Sequence, residues 1–176
     1  MHSVRFKTCF VALSLLGAAT LANAGLDGSS VDFQYDYPSL GSVYADFGTV
    51  TVNNTVEYPS VYIGTDWSLE VTNDQVIWTY LDGFETFYAG SSFNGLDLIF
   101  TGATITGATV DGSSTLDPVS VSNTSSQIFV NFSGLAALPG AQTVIDVSSG
   151  SSTPAPAALL PMIGGLAAIA RRRFRR

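Results

Sequence analysis

In Val31-Asp32-Phe33-Gln34-Tyr35-Asp36-Tyr37 every odd position is apolar or aromatic and every even one is polar. Only an extended chain, whose side chains alternate between two faces, gathers such a set on one side. Comparable runs, rich in β-branched or aromatic residues and bounded by Gly, Asn, Asp or Ser, recur at 49–52, 75–81, 84–88, 96–100, 118–121, 127–132 and 143–147. No helical stripe of similar strength accompanies them. Short strands about 8–12 residues apart with turn residues between them predict an all-β fold, an antiparallel β-sandwich or jelly-roll-like single domain. The sharpest turn is Asp82-Gly83, which suits a type I′ hairpin facing Trp78 and Tyr80 with the strand at 84–88.

The charges are distributed as sharply as the apolar residues. All seven basic residues lie at the two ends: Arg5 and Lys7, then Arg171, Arg172, Arg173, Arg175 and Arg176. The stretch 25–152 holds all 14 acids and no base, so it carries −14 against −7 for the whole chain. Such a field repels phosphate backbones and anionic lipid, and a nucleic-acid partner is not expected. The acids are dispersed, and 46% of the chain is hydrophobic, which fits a solubilised folded domain and not a disordered one.

Each basic cluster borders an apolar run. At the start, Arg5 and Lys7 precede an apolar segment at 10–16 and the small-x-small string Ala22-Asn23-Ala24, the layout of a secretory signal peptide (1–24) cut before Gly25. Export through the Sec machinery is therefore expected. The single cysteine, Cys9, falls inside that peptide, so the mature chain forms neither a disulfide nor a thiolate metal site. The body must be held by its own core.

At the other end stand Pro154-Ala155-Pro156, an apolar run at 157–170 and the arginine cluster. Fourteen residues of helix cover about 21 Å, a short transmembrane segment, and the terminal arginines act as a membrane stop that fixes the end inside. A signal for a glycolipid anchor would end apolar, not in arginines. This tripartite tail resembles the PEP-CTERM sorting signal of Gram-negative bacteria, with Pro-Ala-Pro where the family's name motif has Pro-Glu-Pro; the resemblance covers only about the last 24 residues. It implies a partner, an exosortase-like membrane transpeptidase that removes the tail. It also implies a route: transient anchoring in the inner membrane, then release to the cell surface or exopolysaccharide matrix. The expected organisation is a signal peptide at 1–24, an acidic β-sandwich at 25–147, a Ser/Gly linker at 148–153 and the sorting signal at 154–176.

Between its ends the chain lacks His, Cys, Lys and Arg, so it assembles no Ser-His-Asp triad, Cys-His pair, Schiff-base lysine, His-ligated zinc or arginine clamp. What survives of catalysis is carboxylate chemistry, an acid pair drawn from Glu57, Glu70, Glu85 and the aspartates. With little room for a deep cleft, the chain is read as non-enzymatic. No cofactor is required. Calcium is the one ion for which loop oxygens recur, at Asp111, Ser113, Thr115 and Asp117 and at Asp27, Ser29 and Asp32, but the spacing fails the EF-hand template and ordinary turn acids are the plainer reading. Among Tyr62, Trp67, Trp78, Tyr80 and Tyr88, Trp67 is the candidate for stacking on a glycan, because Gly64-Thr65-Asp66 suggests a turn before it. The expected role is structural or adhesive, with a carbohydrate-binding module, calcium-assisted or not, as the alternative.

Overall fold

A computed structural model describes residues 25–150. The expected signal peptide and sorting tail lie outside the described residues, with Ala22, Ala24, the Pro154-Ala155-Pro156 motif and the five terminal arginines. The described chain contains no helix. Its first six strands are β1 (Ser30–Asp36), β2 (Val43–Thr51), β3 (Tyr58–Tyr62), β4 (Asp66–Val71), β5 (Gln75–Tyr80) and β6 (Thr86–Phe87). Six more follow: β7 (Gly95–Thr101), β8 (Thr104–Val110), β9 (Ser120–Asn123), β10 (Gln127–Asn131), β11 (Ala136–Ala137) and β12 (Gln142–Gly150).

Ten of these strands form two antiparallel sheets, ordered β2-β1-β7-β10-β9 and β3-β4-β5-β12-β8, and β6 pairs with β11 as a separate ribbon. Alternation decides which faces meet. Val31, Phe33 and Tyr35 of β1, Leu96, Leu98 and Phe100 of β7, and Ile128 and Val130 of β10 are buried from one side; Trp67, Leu69, Val71, Val76, Trp78 and Tyr80 of β4 and β5 are buried from the other. Phe33 meets Trp78 edge-on at 5.6 Å, so the two sheets share one sandwich-like core. Both pairs of sheet edges are clasped. The Ile105 N–H donates to Ser125 O at 2.9 Å on one side, and the Tyr58 hydroxyl donates to Gly48 O at 2.6 Å on the other.

Three expectations are corrected. The Asp82-Gly83 hairpin does not form: β5 is flanked by β4 and β12, while the residues beyond the turn enter the β6–β11 ribbon. Pairing Trp67 with Tyr80 and Leu69 with Trp78 across β4 and β5 buries all four side chains. Gly83 adopts no positive φ, and Asp82 Oδ2 instead accepts the Asp66 N–H at 2.9 Å. The linker does not begin at 148, because Ser148, Ser149 and Gly150 continue β12 against Gly107, Ile105 and Thr104 of β8. Serine-rich composition reads as a spacer, but the ladder of backbone hydrogen bonds overrides it. Trp67 is interior, as described below.

The fold engages from its first residues. Leu26 is fully buried and donates its N–H to Asn73 O at 2.8 Å. Ser30 pairs with Thr101 and Gly150 with Thr104, so the two ends of the body emerge at one end of the sandwich. The far ends of β1 and β5, at Asp36 and Tyr80, lie one strand length away, about 20 Å. Among the described residues one core joins both five-stranded sheets.

Candidate ligand cleft

At that far end the sandwich opens into a cleft of about 330 Å³, small among ligand sites. Five stretches converge on it. The end of β1 brings Tyr35 and Tyr37, and β2 brings Tyr44. The β3–β4 turn brings Ile63, Gly64 and Thr65 with Trp67 behind them, and the β6 ribbon with its continuation brings Thr86, Phe87, Tyr88 and Ala89. Asn94, just ahead of β7, completes the lining.

The floor is rigid because its polar tips are bonded to one another. The Tyr35 hydroxyl donates to Asn94 Oδ1 at 2.6 Å, Asn94 Nδ2 donates to Ala89 O at 2.9 Å, and Asn94 N donates to Asn131 Oδ1 at 3.1 Å. Trp67 Nε1 donates to Thr65 Oγ1 at 2.8 Å, and Trp78 Nε1 donates to the Tyr88 hydroxyl at 3.1 Å. Burial first, then the neighbouring Tyr44, pushes the Tyr35 hydroxyl far above the ordinary phenol range; burial does the same to Tyr88. Both stay neutral at physiological pH. The rim is different. Tyr44 is 64% exposed and Phe87 71%, and Tyr37 meets Tyr44 edge-on at 6.2 Å. The lining thus offers aromatic faces, hydroxyls and one amide, and includes neither a carboxylate nor a base.

Trp67, expected to stack on a glycan, is 1% exposed. Its ring lies parallel to Trp78 at 4.9 Å and against Tyr80 at 4.6 Å, so no face is left for a sugar, and it only backs the cleft floor. Trp78, Tyr80 and Tyr88 are likewise interior; of the aromatics weighed from sequence, Tyr62 alone is exposed, beside Ile63. The rim aromatics Tyr37, Tyr44 and Phe87 escaped the sequence reading. The one available signal was that Tyr37 and Phe87 sit where an aromatic run reaches the end of its strand.

The calcium candidates do not converge. Asp111 Oδ1 accepts the Ser113 N–H at 2.7 Å, and hydrogen bonds from Ser113 hold that carboxyl below the usual range. Thr115 Oγ1 accepts the Gln142 N–H, and Ser29 Oγ donates to Leu26 O. Asp32 accepts hydrogen bonds from Thr49 and Gln34. Among the described residues no three His, Cys, Asp or Glu side chains stand together as a metal site. Of the acid-pair candidates, Glu57 is committed to backbone N–H groups of Asn53 and Val71, and Glu85 is exposed. No family model, curated protein or solved structure matches the chain.

Two aspartates are buried instead on the outer face of the first sheet. Asp36 is opposite Gly95 and Asp97 opposite Gln34 on the β1–β7 ladder, and each has one buried carboxylate oxygen without a hydrogen bond. Burial first, then Asp36 and Asp32, pushes the Asp97 carboxyl up to about 6. A folded-state pKa above the unfolded one means the native state holds a proton that the unfolded chain releases. The penalty is therefore absent below the ordinary carboxyl value of 3.8, grows as pH rises from there, and is complete once pH passes about 6. Asp97→Asn is expected to stabilise the body at pH 7.5 by about 1 kcal/mol, the shift being discounted for solvent screening, and to flatten the dependence between about pH 4 and 6. Melting curves across pH check this; a variant less stable than the parent at pH 7.5 would contradict it.

Proposed function

We propose that this jelly-roll-like sandwich is the non-enzymatic, adhesive cargo of an exosortase-type sorting tail, exported by Sec and released to the surface or exopolysaccharide matrix of a Gram-negative cell, where the cleft grips glycan. The observation that carries the binding role is the cleft itself. Aromatic faces and hydroxyls without a catalytic acid or base suit a sugar ring, which presents a patch of C–H groups to a π-face and hydroxyls to its rim. Polarity along the sandwich supports delivery. Both ends of the body leave from one side, so a tail held at the membrane points the cleft about 20 Å outward, toward the matrix.

The rim residues decide affinity if this reading is right, because they are exposed and their loss leaves the core intact. Tyr44→Ala and Phe87→Ala are each expected to weaken binding of residues 25–150 to extracted extracellular polysaccharide by about 5- to 50-fold, the range for a contact aromatic, with no change in melting temperature. Titration calorimetry reads both. Unchanged affinity in the double variant, or no binding by the parent, would contradict the glycan role.

A further inference from the structure

Given the glycan-binding reading, we infer that the cleft takes an amino-sugar polymer in its ammonium form, a deacetylated hexosamine chain, in preference to a neutral or uronic-acid polysaccharide. The electrostatics point one way. Residues 25–152 hold 14 acids and no base, so an anionic polymer is repelled from the whole surface and a polycation is drawn to it. No base among residues 25–152 offsets them, and the lining of the cleft includes no carboxylate, so the negative potential comes from the body as a whole and no acid fills the space.

The aromatic rim then supplies what an ammonium group needs at close range. A cation over the face of a Tyr or Phe ring is attracted by the ring's quadrupole. Tyr44 and Phe87 present such faces to solvent, and the Tyr37 and Tyr44 hydroxyl oxygens, which make no hydrogen bond within the described residues, are free to accept from N–H. An N-acetylated ring offers the same C–H patch but no charge. The preference between the two forms is therefore the signature of this mechanism.

The test is calorimetric titration of the full chain in detergent, alongside residues 25–150, with three hexasaccharides: fully deacetylated glucosamine, its N-acetylated form, and a neutral glucose oligomer. At pH 5.5 and low salt the deacetylated form is expected to bind about tenfold tighter than the other two. The margin should shrink at ~0.5 M salt, where the screening length falls to a few ångströms. Tyr44→Ala with Phe87→Ala is expected to abolish the preference. Equal binding of all three sugars would overturn the ammonium assignment and leave the glycan reading standing. An amino-sugar preference that survives in the double variant would show that bulk charge, not the cleft, does the selecting. No binding of any of them, with extracted polysaccharide also unbound, would overturn both.

Discussion

Trp78→Ala is expected to cost the body about 3–5 kcal/mol, a large part of the ~5–15 kcal/mol that holds a domain of this size together. Trp78 is 1% exposed and sits where the two sheets meet. Its ring stacks on Trp67 at 4.9 Å, meets Phe33 of the opposite sheet at 5.6 Å, and donates to the Tyr88 hydroxyl under the cleft. Truncation opens a cavity and also strips a buried hydroxyl of its donor, so transfer and hydrogen-bond losses add. Trp78→Phe keeps much of the volume and loses only the N–H; an intermediate loss is expected. Denaturant midpoints measure both, and a loss below about 1 kcal/mol for Trp78→Ala would mean that the sheets are not joined through this ring.

The second large effect is on location. On the sorting reading, the transpeptidase must meet Pro154-Ala155-Pro156 just outside the bilayer while the arginines hold the far end inside. Moving arginine through the membrane centre is charged roughly 2.5–3.5 kcal/mol per residue on insertion scales, so five of them make an effective stop. With Arg171, Arg172, Arg173, Arg175 and Arg176 all replaced by Ser, the short apolar segment is expected to slip through or detach, giving soluble unprocessed protein. With Pro154 and Pro156 replaced by Ala, the protein is expected to stay uncut in the inner membrane. Fractionation and immunoblotting separate these outcomes; normal surface delivery of both variants would remove the tail from the sorting account.

What could be read from sequence tracks how local the governing physics is. β1 and β5 were legible because strict alternation in a strand buried on one face needs no knowledge of its partners. β4 alternates as cleanly, Asp66-Trp67-Ser68-Leu69-Glu70-Val71, but the Gly64-Thr65-Asp66 turn signal favours an exposed Trp67, whereas pairing with Tyr80 carries it inside. Half of β2 was lost because the register slips at Gly48, whose φ of 77° accompanies the shift; the ladder then resumes at Asp46, and Phe47 stacks on Phe33 at 4.8 Å, breaking the period of two. β8 is a sheet-edge strand with only Ile105 buried and a glycine at 107, too weak a pattern to stand out. Asp82-Gly83 shows the reverse case, a strong local turn signal overruled by long-range pairing.

The cleft was the least legible part, and for the same reason. Tyr37, Tyr44, Phe87 and Asn94 belong to four stretches that meet only through the β1–β2 and β1–β7 registers and the β6–β11 ribbon. Composition gave its charge environment, since the acids are countable, but not its walls. The proposed targeting signals are the opposite case: each is a contiguous string, so its reading rests on no fold.

Export with processing at both ends is decided by intact-mass analysis of protein recovered from the surface or matrix of a Gram-negative host that carries an exosortase. The expected species begins at Gly25 and lacks the arginine cluster. Recovered protein that still ends at Arg176 would reduce the tail to an ordinary membrane anchor and contradict the sorting account.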